Sequence, residues 1–383
     1  MYNCYLTCPR GLEHLAQDEI SNYADSITVS NGGINFQVDK KGLYQINLSS
    51  RTGMHLLVEL FSFEANDDHD MYNQIYNFPW HDYIDIKQTF IIRMRGSSDK
   101  FGNKNYTTLK IKDAIVDQIK KKKLTRPSIA KENPDITISV FITDNQFKIY
   151  SDSSGISLHK RGYRNKIHKA ALNESLAAGL VMLSGWNQSD SFYDTMCGSG
   201  TIAIEAALLA YNIAPGLLRK GFAFQKWSDY DEDLFLKIKN KLESDINLDK
   251  KIKIHGYDSE FSNIVMAMYS SKLLGLEKYI SFKKQNMLDF KPDDSKATLI
   301  INPPYGERLG DDDSNKLLYK MIGDIFKHKC IGFDCYVFTA NLEAAKNIGL
   351  KTNQKIVLKN GSLDSRLLHY PIQEGIYNKK GSH

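Results

Sequence analysis

The sequence has few cysteines, and their number and spacing exclude two kinds of stabilised fold. Five cysteines in 383 residues are an odd number, which argues against a disulfide framework. No pair has CxxC spacing, and no pair of histidines lies nearby at ligand spacing, so we predict reduced, buried thiols and no metal site. The five are Cys4, Cys8, Cys197, Cys330 and Cys335.

Long apolar runs and targeting signals are also absent. The amino-terminal segment has no basic region followed by an apolar one, which is unlike a signal peptide. No stretch approaches the roughly 20 apolar residues that span a bilayer. The hydrophobic content of 42% is ordinary for a globular protein, and the length allows two or three domains. We therefore expect a cytoplasmic protein without a membrane partner.

Charge is distributed unevenly along the chain. Residues 1–99 contain 7 Lys/Arg and 13 Asp/Glu, whereas residues 100–169 contain 16 and 6. The remainder is close to neutral, with 27 and 26. A lysine run alone is typical of a solvated helix face, but a basic span of this length with two clusters favours a polyanionic partner such as RNA.

The chain beyond residue 171 alternates between strand and helix patterns. This alternation predicts βαβ units and a mostly parallel sheet covered on both faces. Two strand-like runs around Asn360-Gly361 predict a carboxyl-terminal antiparallel hairpin. The outline is that of a Rossmann-like class I methyltransferase domain in the α/β class, although a fold alone does not establish function.

The first 155 residues have a different pattern of predicted secondary structure. Strand-like runs such as GGINFQV, TFIIRMRG and DITISVFITDNQFKIYSD alternate with helical ones, and no glycine-rich fingerprint occurs. We predict an α+β region of two small units that meet near Glu59–Asp70. A basic connector, HKRGYRNKIHK, follows at residues 159–169.

The sharpest local signal is the segment DTMCGSGT at residues 194–201, between a strand and a helix. Glycines there let the backbone approach a ligand, and the helix amino terminus offers free N–H donors. Dinucleotide-binding enzymes use similar turns, so the turn alone is weak evidence. The dinucleotide-binding pattern G-x-G-x-x-G has a third glycine, and Ala203 stands at that position. Only the looser form of the pattern accepts an alanine there.

A second strand ends in Gly256-Tyr257-Asp258, where an acidic side chain can accept hydrogen bonds from ribose hydroxyls. Asp258 lies 64 residues after Asp194, far more than the roughly 20 of nicotinamide-binding proteins. The extra length includes an apparent insertion that contains Trp227 and other aromatics. In isolation, Asp258 is equally typical of a surface turn.

The most informative motif is Asn302-Pro303-Pro304-Tyr305-Gly306, directly after the apolar run ATLII. Prolines end a strand and give it a rigid tip. The Asn302 side-chain oxygen, with a backbone carbonyl, can accept hydrogen bonds from a flat NH₂ group. Tyr305 provides a ring for an extruded base, so the motif predicts positioning of an exocyclic amine for methyl transfer.

These motifs resemble those of class I methyltransferases that act on base amines. Together with DSSGISLHKRGYR, APGLLRKGFAFQKW and NPPYGERL, they resemble one family over nearly the whole chain. It is the THUMP-domain RNA guanine-N2 methyltransferases, including the N-terminal half of the bacterial 23S rRNA methyltransferase RlmL. Relatives often carry the label N6-adenine-specific DNA methylase because the Asn-Pro-Pro-Tyr motif is shared.

The resemblance implies a ferredoxin-like unit (1–60), a THUMP RNA-binding domain (61–157), the connector (158–170) and a catalytic domain (171–383). It implies S-adenosyl-L-methionine as cofactor, with Asp258 at its ribose and Asn286 and Met287 beside its adenine. The remaining implied cofactor contacts are Asp194, Met196, Cys197, Gly198, Ser199, Gly200, Thr201 and Ser259. Asn302, Pro303, Pro304 and Tyr305 would hold the base.

Two positions depart from the family pattern. Thr195 replaces a proline that is usual in the first motif, and Asn286 replaces an aspartate. An amide oxygen is a weaker acceptor than a carboxylate, so the departure bears on cofactor affinity.

The sequence therefore predicts methyl transfer to guanine N2 in RNA, with 23S rRNA as the expected partner. Alternatives are an N6-adenine methyltransferase on DNA or RNA, a tRNA guanine-N2 methyltransferase, and a noncatalytic RNA-binding assembly protein. A nicotinamide-dependent oxidoreductase is disfavoured by motif spacing. The predicted RNA contacts are Lys120, Lys121, Lys122, Lys123, Lys160, Arg161, Arg164 and Lys166.

Overall fold

The computed structural model describes residues 1–164, 172–304 and 312–374. The amino-terminal region consists of eight strands and five helices within these residues. They are β1 (Tyr2–Thr7), α1 (Glu13–Ile20), β2 (Ala24–Ser30), β3 (Gly33–Val38), α2 (Lys40–Ser49), β4 (His55–Glu64), α3 (Asp68–Asn77), α4 (Trp80–Tyr83), β5 (Thr89–Ser97), α5 (Lys104–Lys123), β6 (Ser128–Ile129), β7 (Ile136–Thr143) and β8 (Gln146–Asp152).

The eight strands form one mixed sheet in the order β2-β3-β1-β4-β8-β7-β5-β6. β4 joins the two predicted units, because its first half pairs with β1 and residues Leu57–Glu64 pair with β8. The predicted boundary at residue 60 therefore falls inside a strand. The run predicted around residues 135–152 is two antiparallel strands, since Asp144 turns the chain with φ of 54°.

The carboxyl-terminal region has alternating helices and strands, as the sequence predicts. They are α6 (Glu174–Leu183), β9 (Ser191–Asp194), α7 (Thr201–Ala210), α8 (Glu232–Ser244), β10 (Ile254–Asp258), α9 (Phe261–Leu273), β11 (Ser281–Lys284), β12 (Ala297–Ile301), α10 (Asp312–Lys329), β13 (Asp334–Thr339), α11 (Leu342–Ala345), β14 (Gln354–Asn360) and β15 (Leu363–Pro371).

These strands form a second sheet in the order β11-β10-β9-β12-β13-β15-β14. The first five are parallel, and β14 and β15 add the predicted antiparallel hairpin. The predicted α/β fold class is confirmed. The chain order reverses between β9 and β12, which places a ligand crevice at the carboxyl ends of these strands.

The insertion between α7 and β10 packs against the amino-terminal region. Tyr44 of α2 stacks on Phe224 with ring centroids 4.5 Å apart, and Phe235 of α8 meets Tyr44 edge-on. The aromatic residues of the insertion therefore form a core shared by the two regions. All five cysteines are free and buried, as predicted. None of the described helices combines the length and apolarity that a membrane span requires.

Candidate active site at the carboxyl ends of the parallel strands

A cavity of about 560 Å³ lies at the carboxyl ends of β9, β10, β11 and β12. Because parallel strands end at the same edge of the sheet, motifs that are far apart in sequence line one space. The predicted site residues in its wall are Asp194, Met196, Cys197, Gly198, Ser199, Thr201, Asp258, Ser259, Asn286, Met287, Asn302, Pro303 and Pro304.

Among the described residues, one predicted site residue is not in this wall. Gly200 lies behind the glycine turn with φ of 80°, and a Cβ there would be 2.8 Å from Ala267 and from the ring of Phe282. It is the residue before α7, so its role is to start the helix and allow close packing. Tyr305 lies outside the described residues.

The glycine turn is held by Asp258 from the neighbouring strand. The backbone N–H of Gly198 donates to Asp258 Oδ2 at 2.9 Å, and that of Cys197 donates to the carbonyl of Tyr257 at 2.9 Å. Asp258 Oδ1 accepts from the backbone N–H of Glu260 and from Asn263 Nδ2. Asp258 thus fixes the turn as well as facing the cavity.

Asp194 is buried at the end of β9, and neither carboxylate oxygen has a hydrogen-bond partner of ordinary geometry among the described residues. Burial raises the pKa of this carboxyl well above its usual range, and the charge of Asp258 adds to the effect. The backbone N–H of Met196 opposes this shift, but a buried carboxyl group without a well-formed hydrogen bond is expensive to keep unless a ligand satisfies it. Asp194 is therefore suited to accept hydrogen bonds from a bound cofactor.

The space beside Gly198 also fits a ligand, because nothing lies within 4 Å of a Cβ built there. The turn leads into the amino terminus of α7, whose free N–H groups favour anionic ligand groups. Asn286 begins a short turn at Met287–Asp289 and accepts from the N–H of Leu288 at 2.9 Å. The wall therefore combines polar acceptors with the apolar surface of Met287.

Asn302 follows β12 and lines the same cavity. This Oδ1 is buried and has no hydrogen-bond partner among the described residues. Ile301 and Pro303 on either side are buried, which fixes the backbone at the strand tip. The site thus holds an acceptor without a partner where the sequence predicts the target amine.

Cys197 is the thiol of the cavity wall, and its burial disfavours a role as a nucleophile. Burial raises the pKa of this thiol well above its usual range, and the charges of Asp194 and Asp258 reinforce the shift. A neutral thiol is a poor nucleophile. The site is organised to position groups rather than to form a covalent intermediate.

Several wall residues were missed by the sequence analysis. Asn263 carries a usable signal, since it lies five residues after Asp258 in the first turn of α9. Leu318 and Met321 come from α10, and their helical spacing looks like ordinary core packing, so the pattern provided no signal for them. The others are Leu172, Thr195, Ile202, Glu260 and Leu288.

The structure corrects two of the predicted RNA contacts. Arg161 is fully buried: it donates to the carbonyls of Leu158 and Arg51, and its Nε lies 3.7 Å from Glu205 Oε1. A side chain without solvent exposure cannot meet a phosphate. The residue instead links the connector to α7.

Arg164 is also directed inward, with 12% of its side chain exposed. Its Nη2 donates to the carbonyl of Leu172 at 2.8 Å and to the hydroxyl of Thr201, and its Nε lies 3.5 Å from Glu174. Arg164 therefore stabilises the end of the glycine turn through its contact with Thr201. Lys120–Lys123 and Lys160 are exposed, and Lys166 lies outside the described residues.

The sheet, the glycine turn and the acidic residue at the next strand tip define a class I methyltransferase. Family models agree along the chain: the RlmL ferredoxin-like domain matches residues 3–57, the THUMP domain 65–152 and the RMKL-like methyltransferase domain 161–369. The chain belongs to the RlmL-like family of S-adenosylmethionine-dependent RNA methyltransferases.

Two relatives show how far the similarity extends. A Synechocystis protein, inferred to be an RNA methyltransferase, is 34% identical, with 96% of each chain covered. The Cellvibrio japonicus ribosomal RNA large subunit methyltransferase K/L is 33% identical over 98% of this chain. The chain spans about half the length of that relative, 52%.

Solved structures agree with this fold. SMU.472, an inferred methyltransferase crystallised with S-adenosylhomocysteine, superimposes with a TM-score of 0.88 and 29% identity over 97% of this chain and 98% of its own. A Listeria monocytogenes protein inferred to be an N6-adenine-specific DNA methylase superimposes with a TM-score of 0.85 and 27% identity. The match covers 97% of this chain and 96% of the Listeria chain. The likeness to a structure that contains S-adenosylhomocysteine supports the cofactor assignment.

Proposed function

We propose that the protein methylates the exocyclic N2 amine of a guanine in RNA, with 23S rRNA as the substrate. The observation that carries this proposal is Asn302 Oδ1, a buried oxygen without a hydrogen-bond partner among the described residues, on a residue that lines the same cavity as Asp194. The large-subunit target is supported by the name of the K/L relatives. The choice of guanine N2 rests on the family resemblance of the motifs.

The residues of this chain act by binding and orientation. S-adenosylmethionine, when bound, supplies an electrophilic methyl group. Asp194, Asp258 and the Gly198 turn hold the cofactor at the ends of β9 and β10. Asn302 Oδ1 accepts a hydrogen bond from the target amine, which orients the nitrogen lone pair for in-line attack. The amine proton leaves after transfer, from an acidic ammonium, so no general base is assigned.

Adenine N6 is the second candidate, because the Asn302 oxygen can accept from either amine and the Listeria relative carries that name. The two are distinguished by nucleoside mass spectrometry of 23S rRNA, tRNA and DNA from cells with and without the protein. In cells without the protein, we expect the amount of N2-methylguanosine to decrease in 23S rRNA and to stay unchanged in tRNA and DNA. A change confined to N6-methyladenine, or to tRNA, would instead identify an alternative substrate.

Asn302→Ala tests the role of the motif in the same assay and with purified enzyme. Removal of one preorganised polar group should lower kcat by at least about 10²-fold, with a smaller change in KM. Asn73→Ala, an exposed asparagine of α3, is the matched control and should keep full activity. Full activity of Asn302→Ala would remove this residue from the mechanism, whereas a wild-type protein that binds rRNA without methylating it would favour the noncatalytic alternative.

A further inference from the structure

The eight-stranded sheet has two faces with different partners. Side chains alternate between faces along each strand. Leu6, Val58 and Phe36 belong to one hydrophobic core with α1 and α2, and Val140 and Ile149 to another with α3 and α5. Helices therefore cover the face that these residues share.

The other face, called here the open sheet face, carries Tyr5, Arg93, Arg95, Phe141, Lys148 and Tyr150. The register between β4 and β8 pairs Glu59 with Tyr150 and, after a bulge, Phe61 with Ile149. The alternation therefore continues across the join between the two units. Arg93, Arg95 and Lys148 are exposed, so this face meets solvent along β5 and β8.

Three aromatic rings from three strands meet on the open sheet face. Phe141 of β7 and Tyr5 of β1 lie edge-to-face with centroids 5.5 Å apart. Tyr150 lies 5.3 Å from Phe141 and 6.4 Å from Tyr5, and it is itself buried. Phe141 and Tyr5 remain partly exposed. Two rings of this aromatic cluster are thus partly exposed to solvent, and the buried ring of Tyr150 packs against both of them.

Phe141 lies between two cations on the neighbouring strands. The register pairs it with Arg95 of β5 on one side and with Lys148 of β8 on the other. Arg93 lies two residues before Arg95 on the same face. In the described part of the chain, the ion pairs within 4.0 Å include none of these three cations. Their charges are therefore available to an anionic partner.

We propose that the open sheet face binds a single-stranded segment of the RNA substrate, with bases stacked on Phe141 and Tyr5. The phosphates would lie beside Arg93, Arg95 and Lys148. Unpaired bases stack on aromatic side chains irrespective of sequence, and flanking cations neutralise the backbone. Glu59, half-buried beside Tyr150, is anionic, which directs the phosphates towards β5 and β8.

This surface differs from the lysine run of α5, because lysines alone bind duplex and single strand through phosphates. Stacking requires unpaired bases. The proposal rests on RNA being the substrate in the proposed function, but not on which base is methylated. It therefore predicts a preference for unpaired RNA that depends on the aromatic residues.

The test measures fluorescence anisotropy of the full chain with a labelled, unstructured oligoribonucleotide of about 12 nucleotides, and with the same strand in a duplex. We expect the wild type to bind the single strand more tightly. Phe141→Leu and Tyr5→Leu keep apolar volume but remove the stacking ring. Each should weaken single-strand binding about 5-fold or more and reduce the preference over the duplex. Tyr83→Leu, an exposed aromatic of α4, is the matched control.

The charged residues give a second readout that does not depend on core packing. Arg93→Gln and Arg95→Gln should each lower the salt-dependence slope of single-strand binding by about 0.7. Lys355→Gln, an exposed lysine of β14, should leave it unchanged. S-adenosylhomocysteine binding by calorimetry should equal that of the wild type in every variant, which shows that the fold is intact.

Unchanged affinity and slope in both arginine variants, or an unchanged strand preference in both leucine variants, would overturn the proposal. Loss of a concentration-dependent dimer in Phe141→Leu, with RNA binding intact, would also overturn it and identify a protein interface. If RNA still binds this face but no N2-methylguanosine forms, the proposed function fails and the binding surface stands.

Discussion

Oδ2 of Asp258 accepts a hydrogen bond of 2.9 Å from the backbone N–H of Gly198, 60 residues earlier in the chain. This contact joins the tip of β10 to the glycine turn after β9. A buried acceptor on a backbone donor restricts the turn to one conformation. The residue predicted to hold the cofactor ribose therefore also shapes the loop that faces the methionine end.

Asp258→Ala should weaken binding of S-adenosylhomocysteine by about 1–3 kcal/mol, because the variant has neither the charged acceptor nor the support of the turn. Asp258→Asn keeps one oxygen and should fall between the wild type and the alanine variant. Titration calorimetry measures both, and NAD should show no binding. An alanine variant with the wild-type dissociation constant would mean that the cofactor lies elsewhere.

Asp194→Asn should make the ligand-free protein more stable at neutral pH. The pKa of this carboxyl is raised by burial, so between its unfolded and native pKa values the native state holds a proton that the unfolded state releases. Stability from this group is full below the unfolded pKa and is lost as pH rises, by up to about 1.4 kcal/mol per pH unit. Asn does not titrate, so the variant should lack this loss.

Urea unfolding at several pH values measures the difference between Asp194→Asn and the wild type. The gap in the free energy of unfolding should widen as the pH rises above the usual pKa of an aspartate, about 4, and level off above the raised pKa of the native carboxyl. A gap independent of pH would show that the carboxyl is ionised in the native protein. The same variant should bind S-adenosylhomocysteine more weakly, since the buried acceptor is replaced.

Tyr305 lies outside the described residues, and its stacking role stays a prediction. Tyr305→Phe keeps the ring and should remain active, whereas Tyr305→Ala should lose about 1–3 kcal/mol of stacking with the base. Methyl transfer to rRNA with labelled cofactor measures both. Equal, near-complete loss in the two variants would mean that the hydroxyl takes part in the reaction.

The lysine run of α5 should contribute to RNA binding without sequence preference. Lys120–Lys123 are exposed, although Lys121 also lies 5.6 Å from the ring centroid of Tyr76. Replacement of the run by Ala should reduce the slope of log affinity against log salt concentration for structured rRNA fragments. The reduction should be about 0.7–0.9 for each phosphate that is no longer neutralised. An unchanged slope would leave these lysines as a solvated helix end.

Arg161→Met should destabilise the protein rather than weaken RNA binding directly. It removes the cation beside the buried carboxylate of Glu205, to which Tyr163 also donates at 3.0 Å. Breaking a buried pair costs about 3–5 kcal/mol. Chemical denaturation should show this loss, while Lys160→Ala, the exposed neighbour, should change stability by less than about 0.5 kcal/mol. A stable Arg161→Met with weaker RNA binding would restore the original prediction.

The sequence by itself determined the catalytic fold and the motif residues of its cavity wall. Local patterns carry that information: each motif directly follows an apolar strand, and consecutive parallel strands end at one edge. Asp194, Asp258 and Asn302 could therefore be assigned to one site before any contact was known. Gly200 also packs against Ala267 and Phe282, which the sequence pattern did not indicate, because a glycine can serve packing as well as ligand approach.

Only the tertiary structure decided which charges and rings reach solvent. Arg161 and Lys160 are adjacent and equally basic in sequence, yet one faces Glu205 in the core and the other faces water. Likewise, Tyr5 and Phe141 meet because β4 pairs with both β1 and β8. Burial and cross-strand contact depend on which distant segments pack together, and the periodicity of a single segment does not contain that information.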